Sequence, residues 1–425
     1  MTTDHLTRQA GPAARPAGPA AAGGPPPRLP FVVYVLAVGT FLMLTTEFVV
    51  AGLLPEIAGD LQVSVAQAGL LITVFAVGMI VGAPAMALLT RRLPPRTTLM
   101  IALAVFAAGH VVVALGSSFP LLLSARFVTA WATGAFWSVA SVAATRAAGP
   151  GASARALGLV GAGGMLANVI GVPLGAFAGQ LSGWRGPFWA LAVLALAALP
   201  LIARQVPDDG SGQQAASLRS ELGALRSRRL WLVLAACATT TGGVLSTYTY
   251  ISPLLTDRAG IAAGLVPLVL VGFGVGSLIG TVVGGRLGDV RPHSTTIAVA
   301  ASTTVVLLVI CLTATHPVPT VLLVVLLGLL GLSANPVLSA LAVRFAGVAP
   351  TLGVAMSVAA YNLGTAVGSW VAGRALDSGL GTMGPALVGT VIAASTLIPT
   401  VAIARRTRSA GARGTRVTVD LQEHR

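Results

Sequence analysis

The sequence predicts an all-α membrane protein whose twelve transmembrane helices form two pseudo-symmetric six-helix bundles. Of its 425 residues, 55% are hydrophobic and only 9% are charged, whereas soluble domains carry about 25% charged residues. So few charges cannot cover a water-facing surface. Apolar runs long enough to cross a bilayer, about 20 residues, recur twelve times, and one polar stretch divides them into two groups of six.

Taken in order, the chain divides into five segments. Residues 1–29, rich in Pro, Ala and Gly, predict a disordered cytoplasmic tail, and residues 405–425 predict a basic cytoplasmic tail. The N-terminal bundle, 30–204, holds spans 31–54, 66–89, 97–116, 119–144, 156–181 and 187–204. A cytoplasmic linker, 205–229, follows, in which 217–229 predicts a short amphipathic helix on the membrane surface. The C-terminal bundle, 230–404, holds spans 230–254, 263–287, 295–314, 318–345, 351–373 and 383–404, and the length of 318–345 predicts tilt or a kink at Pro336.

The arginines predict the orientation of the chain. All 26 basic residues are Arg, and with both termini cytoplasmic 22 of the 26 fall on the cytoplasmic side. This is the positive-inside bias, and it predicts a multi-pass protein of the cell (plasma) membrane. It also accounts for the pI of about 11.6 without a nucleic-acid partner.

Other residue types limit the chemistry. Without Lys the chain has neither a P-loop nor a Schiff-base site, so we expect no nucleotide-driven or light-driven pump and no cofactor. Cys237 and Cys311 both fall in apolar spans, so no disulfide or metal framework follows. We expect a monomer in the lipid bilayer.

Glu47 is the one acidic residue, of twelve, that our assignment places deep inside a span. A charge near mid-bilayer costs at least about 2.5 kcal/mol on insertion scales, and such residues tend to be functional. Small residues at four-residue spacing mark spans 2, 5 and 8 and predict close helix packing. That packing is either static or a sliding interface between the two halves.

Three stretches make the sequence similar to the major facilitator superfamily, and within it to the twelve-span drug–proton antiporters. The turn after span 2 carries Gly82, Thr90, Arg91, Arg92 and Arg96, with Thr90 where the family usually has Asp, and the corresponding turn in the second half keeps an acid, Asp289. Span 4 contains an Arg-bearing motif, Arg126 to Gly134. Span 5 reads GVPLG, with Gly171, Pro173 and Gly175.

Further stretches resemble the subgroup of bacterial chloramphenicol-resistance exporters and arabinose-type efflux permeases. They are TTEFVVAGLLPEIA (45–58), the Thr-Arg-Arg-x-Pro turn (90–94), TYTYISPLL (247–255) and YNLGTAVGSW (361–370). The resemblance implies a two-lobed helical fold that opens alternately to each side. It also implies small-molecule export coupled to protons.

Glu47 is the predicted proton carrier, since burial and a nearby cation shift a carboxyl pKa in opposite directions. The alternative is a Glu held by backbone hydrogen bonds that never titrates. Arg126, at a similar depth, either pairs with Glu47 or shares a water-filled cavity with it, or else it locks helix ends through backbone carbonyls. These two residues form the predicted proton-coupling site.

Polar and aromatic residues on central spans are the candidates for substrate contact. Each is as well explained by hydrogen bonds between helices. We interpret His110 and His316 as helix-end or surface groups. The candidates are Thr40, Met43, Thr133, Trp137, Asn168, Tyr250, Asn335 and Asn362.

Three other functions remain to be weighed. A sugar or nucleoside exporter would need more Asn, Gln and Trp along the cavity. A membrane-embedded enzyme would need a motif such as HExxH or GxSxG, which the chain lacks, so we predict no enzyme activity. A non-transporting sensor would have no use for Glu47 and Arg126.

Overall fold

The structure, a computed structural model, describes residues 29–89, 93–149, 151–207, 223, 225–347 and 350–406. Within these ranges, the side chains of residues 83–89, 154, 350 and 351 are not described. The predicted N-terminal tail up to residue 28, most of the linker with its amphipathic helix, and residues 407–425 lie outside the described ranges. Thr90, Arg91 and Arg92 lie outside them as well.

Within the described ranges, twelve long helices, α1 to α12, make up the fold. A 3-10 turn, Val50–Gly52, extends α1, and a short helix, Leu54–Leu61, connects it to α2. In the N-terminal half the helices are α1 Phe31–Val49, α2 Val65–Leu89, α3 Pro95–Leu115, α4 Phe119–Ala148, α5 Arg155–Ser182 and α6 Gly186–Gln205. In the C-terminal half they are α7 Arg228–Thr249, α8 Val266–Val290, α9 Pro292–Thr313, α10 Pro317–Ala346, α11 Pro350–Leu376 and α12 Gly381–Arg406.

Eleven of these helices are long and apolar enough to cross a membrane. The twelfth, α11, is 27 residues long but carries Tyr361, Asn362 and several Gly, Ser and Thr residues. It packs against α2, α7 and α10 in the middle of the bundle. Its exposed face carries the apolar residues Leu363, Val367 and Trp370, whereas its Asn362, Thr365 and Ser369 are buried. Polar groups turned away from lipid suit a spanning helix, so α11 still fits the predicted twelve-span fold.

The two halves repeat the same packing. In the first half α1 packs on α5, α2 on α4, and α3 on α6; in the second, α7 packs on α11, α8 on α10, and α9 on α12. The halves meet along α2–α11 and α5–α8. In the repeat, α2 corresponds to α8 and α5 to α11, so each of these contacts is the counterpart of the other. The pseudo-symmetry predicted from the sequence is therefore present.

Proline breaks the regular helix at two places near the centre. In α10 the helix stops at Gly331 and restarts at Asn335, because the Pro336 ring displaces the carbonyl four residues earlier. In α5 a π-helical turn, Ala167–Gly171, precedes Pro173. The predicted kink at Pro336 is confirmed, and both irregular turns face the space between the halves.

The glycine stripes pack inside each half. A side chain at Gly280 would meet the Leu329 backbone of α10. Likewise Gly171 abuts Thr45 of α1, and Gly82 abuts Trp131 of α4. Gly175 and the buried Pro173 belong to the same α5 segment. These contacts favour static packing over the sliding interface that the spacing also allowed.

Candidate functional site

A cleft separates the two halves at the centre of the bundle. It consists of two adjoining cavities of about 180 Å³ and about 360 Å³, which share Asn168, Leu332 and Asn335. The smaller cavity is lined by Glu47, Phe48, Asn168, Thr241, Leu245, Tyr248, Phe273, Leu332, Asn335, Tyr361, Asn362 and Thr365. Residues from both halves therefore form one site.

Three amides line this cleft, two of them on the broken helices. Asn168 lies in the π-helical turn of α5, a type of irregularity that often marks functional sites, and Asn335 begins the second segment of α10. Asn362 of α11 is 7% exposed. The side-chain oxygens of Asn335 and Asn362 have no hydrogen-bond partner in the described part of the chain. Two buried acceptors thus lack a donor. Leaving them so costs free energy unless a ligand or a water molecule donates to them.

Glu47 adds a carboxylate to the same cavity. It is half-buried and lines the cleft from α1. Among the described residues its carboxylate has no ion-pair partner, so it faces the cleft rather than being consumed by a structural contact. Together with the two amide oxygens it makes a wall of acceptors.

Aromatic rings line the same cavity. Tyr248 of α7 stacks on Phe273 of α8 with ring centroids 4.3 Å apart, and Phe48 meets Tyr248 edge-on at 6.0 Å. Tyr361 donates to the backbone carbonyl of Asn335 at 2.7 Å and so braces the break in α10. A cavity lined by both aromatic rings and hydrogen-bond acceptors suits an amphiphilic molecule.

Arg126 lies beside the cleft, not in it. It is 1% exposed. Its guanidinium donates to the Thr46 carbonyl at 2.9 Å, to the Glu47 carbonyl at 3.3 Å and to the Leu71 carbonyl at 3.3 Å, and it lies 4.2 Å from the Phe75 ring centre. Of the two roles that the sequence left open, this geometry matches the locking of helices through backbone carbonyls.

Thr46 extends this network to α3. Its hydroxyl is 2.8 Å from the Arg126 guanidinium and 2.8 Å from Nε2 of His110. His110 is 1% exposed, so the interpretation of His110 as a helix-end or surface group is wrong. Its place inside the apolar part of α3, five residues before the helix ends at Leu115, was the available signal. His316 does cap the start of α10 and is exposed, as expected.

The eight predicted substrate residues separate into two groups. Trp137, Asn168, Asn335 and Asn362 line the cleft. The other four do not: Thr40, Met43 and Thr133 are buried between helices of the N-terminal half, with the Thr133 hydroxyl 3.8 Å from the Met43 sulfur, and Tyr250 lies at the contact between the halves.

Sequence reasoning missed Tyr248, Phe273, Tyr361, Phe48 and Thr241 as cleft residues. The signal for one of them was present, since Tyr248 and Tyr250 both stand in the TYTY stretch. Two residues along a helix turn a side chain by about 200°. Only the packing of α7 decides that Tyr248 faces the cleft.

Hydrogen bonds close the cleft at the face holding the α1–α2 connection, called here the loop face. The Tyr250 hydroxyl reaches the carbonyls of Ser369 at 3.1 Å and Ala66 at 3.4 Å. Thr73 pairs with the Ser369 hydroxyl at 2.7 Å, and Gln180 donates to the Ala263 carbonyl at 2.7 Å. The Tyr250–Ser369 contact lies within the C-terminal half, and the other three contacts each join one half to the other.

The turns that follow α2 and α8 carry the two motif copies, and their described parts lie at the face opposite the loop face. Gly82 packs against α4, Arg96 is half-buried in the first turn of α3, and Asp289 is exposed in the last turn of α8. Elsewhere in the described chain, no group of three or more His, Cys, Asp or Glu residues is arranged to hold a metal ion.

The family model described as the Major Facilitator Superfamily matches residues 36–369. The chain belongs to the major facilitator superfamily. The chloramphenicol resistance protein of Streptomyces lividans is 38% identical to this superfamily member over 378 residues, covering 87% of this chain and 95% of that protein. The inner membrane transport protein YdhP of Escherichia coli (strain K12) is 31% identical, covering 89% and 97%.

Two further comparisons agree with this. The putative transporter AraJ of Escherichia coli (strain K12) is 30% identical over 353 residues, covering 82% of this chain and 89% of that protein. A crystal structure of a bacterial homologue of the human lysosomal transporter Spinster, inward-facing and occupied, superposes with a TM-score of 0.69 at 16% identity, covering 88% and 95%. The major facilitator fold of this multi-pass transporter is thus shown.

Proposed function

We propose that this transporter exports small amphiphilic, chloramphenicol-like drugs in exchange for protons, by alternating access. The observation that carries the proposal is the position of Glu47, a lone intramembrane carboxylate lining the cavity between the halves. A group there passes between wet and dry surroundings as the cleft opens and closes, and such a change loads and unloads a proton. The 38% identity to a chloramphenicol resistance protein supports the choice of substrate.

The energetics suffice for export. One unit charge moving down 100 mV supplies about 2.3 kcal/mol, which sustains a concentration ratio of nearly fifty-fold. We also propose that the protein acts as a monomer in the plasma membrane with both termini cytoplasmic, and that it has no enzyme activity. The distribution of its arginines supports that orientation, and fusions of a reporter to either terminus test it.

Drug-dependent proton flux tests the proposed function. In proteoliposomes with an imposed pH gradient, chloramphenicol should accelerate proton movement through the wild-type protein. Glu47→Gln should abolish this flux while leaving the folded yield intact. Glu56→Gln, which removes an exposed carboxylate nine residues further along the chain, is the matched control and should behave as wild type. Full flux through Glu47→Gln would overturn the proposed coupling.

A sugar or nucleoside exporter is the second candidate, and one observation favours it. Three asparagines and Trp137 do line the cleft, which is more polar and aromatic lining than the apolar spans suggested. Whole-cell resistance to chloramphenicol, compared with export of labelled sugars and nucleosides from the same cells, separates the two candidates. Resistance without sugar or nucleoside export supports the drug exporter.

A further inference from the structure

His110 is the central side chain of a buried network that ties four helices of the N-terminal half together. Its ring lies 4.0 Å from the Phe106 ring and 5.9 Å from the Phe188 ring, measured between centroids. Through Thr46 of α1 it connects α3 to Arg126 of α4, which in turn reaches α2. Glu47, which follows Thr46 on α1, lines the cleft.

The hydrogen bonds determine which ring nitrogen of His110 carries the proton. Nδ1 is 2.7 Å from the Phe106 carbonyl, which can only accept, so Nδ1 carries a hydrogen. A neutral imidazole has one N–H, so Nε2 accepts and the Thr46 hydroxyl donates. An imidazolium would bury a second cation against the oxygen that Arg126 already binds at 2.8 Å, an arrangement that burial strongly disfavours.

This direction of donation matters for Arg126. The other two threonines of α1 donate to the carbonyl four residues earlier, Thr40 to Leu36 and Thr45 to Phe41. Thr46 instead directs its hydrogen to His110 and presents its lone pair to the guanidinium of Arg126. Without an acceptor on α3, the Thr46 hydroxyl would return to its own helix.

We propose that His110 is a positioning residue of the coupling site. As a neutral Nδ1–H tautomer, it orients the Thr46 hydroxyl and thereby holds Arg126 against the α1 backbone next to Glu47. The inference rests on the proposed coupling role of Glu47, but the tautomer and the network are properties of the folded protein and can be tested without transport.

The first test is spectroscopic. Nitrogen-15 NMR of protein labelled at its five histidines, with His110 assigned from the signal missing in His110→Gln, reports protonation at each ring nitrogen. At pH 7 the expected signal is a protonated Nδ1 with a bare Nε2. A protonated Nε2, in either a neutral ring or an imidazolium, would overturn the proposal whether or not the protein transports drugs.

The second test separates positioning from mere packing. His110→Phe keeps a ring but removes the acceptor, and Thr46→Val removes the hydroxyl. Each should lower drug-dependent proton flux about tenfold with the drug KM unchanged, the effect of one lost buried hydrogen bond. Because both act through one bond, the double variant should lose no more than either single variant.

Rescue and control variants complete this second test. His110→Gln places an amide oxygen where Nε2 stood and should restore most of the flux. His316→Gln, at the exposed start of α10, should behave as wild type. Additive losses in the double variant, or full flux in His110→Phe, would refute the positioning role. If Glu47→Gln kept its flux while the tautomer was as expected, the proposed function would fail and the network would stand.

Discussion

The Arg126 guanidinium donates to the backbone carbonyl of Glu47, with Nη2 and the oxygen 3.3 Å apart. The charge of the Arg is thereby anchored to the backbone of α1, and the Glu47 carboxylate keeps its access to the cleft. A direct ion pair would have held both groups in one state. This division of contacts leaves the carboxylate available for proton exchange while its countercharge stays fixed.

Arg126→Lys should be nearly as damaging as the loss of the residue. A Lys keeps the charge but lacks the planar fork that serves three carbonyls and a hydroxyl at once. Leaving buried acceptors without a donor costs about 1–3 kcal/mol per group, so the unfolding temperature in detergent should fall and proton flux should be lost. Arg374→Lys, exposed in the last turn of α11, is the control, and equal thermal stability of the two variants would contradict the anchoring role.

Gly69→Ala should prevent closure of the loop face. A Cβ at Gly69 would lie 2.6 Å from Cζ of Tyr250, closer than packed atoms allow, so the halves could not meet there. Spin labels at residues 64 and 378, one in each half, should report a longer distance in this variant than in wild type. Gly59→Ala, whose Cβ meets nothing within 4 Å, should leave the distance unchanged. An unaltered distance in Gly69→Ala would show that this contact does not gate the cleft.

Asn362→Leu should weaken ligand binding without lowering stability. The Asn362 side-chain oxygen has no partner within the described chain, and its amide nitrogen donates to the Val358 carbonyl of its own helix at 3.0 Å. A Leu side chain of similar size should therefore not lower the unfolding temperature of the ligand-free protein. Chloramphenicol affinity, measured by equilibrium dialysis, should fall about tenfold if that oxygen accepts a donor from the ligand. Ser357→Ala on the same helix, whose hydroxyl bonds its own helix, should leave affinity unchanged. Unchanged affinity in Asn362→Leu would remove this residue from the binding site.

Asp60 should make the loop face sensitive to acid. Its hydrogen bond to Arg185, 2.5 Å between Nη1 and Oδ2, lowers the pKa of the Asp60 carboxyl below its usual value. A lowered pKa in the folded state stabilises the protein above the unfolded value, about 3.9, and that contribution disappears as the pH falls through the folded pKa. Unfolding temperatures measured from pH 6 down to pH 3 should therefore drop more steeply for wild type than for Asp60→Asn. Because both side chains are partly exposed, the difference between the two curves should be small. Parallel curves would show that the Asp60–Arg185 pair contributes nothing to stability.

The span count, the break at Pro336 and the family could be predicted because each depends on a local or summed property. Apolar run length, proline position and small-residue spacing act through the backbone and the bilayer, and they need no knowledge of neighbouring helices. Glu47 was identified on the same ground, as an acid where apolar residues were required. Whether a polar side chain points to the cleft or to another helix could not be predicted. Every central helix has polar residues and a neighbouring helix on each side.

Thr40, Met43 and Thr133 show why. Thr40 and Met43 stand seven and four residues before Glu47, and Thr133 stands seven residues after Arg126, so helical spacing puts each on one face with Glu47 or Arg126. That face is broad, and α1 presents part of it to α4 and only part to the cleft. His110 shows the converse, because nothing in its neighbouring residues indicates that Thr46 of another helix lies 2.8 Å away. Contacts between distant segments depend on how helices are rotated and spaced, and no single segment contains that information.

The sequence by itself determined that this protein is a twelve-span transporter with one acid sunk in its first helix, since hydrophobic length and the cost of burying charge are properties of each segment in its solvent. Only the tertiary structure decided that Arg126 holds backbone rather than the carboxylate, that Tyr250 closes a face while Tyr248 lines the cleft, and that His110 belongs to the network. Those outcomes depend on the rotation of each helix about its axis, where one residue turns a side chain by about 100°.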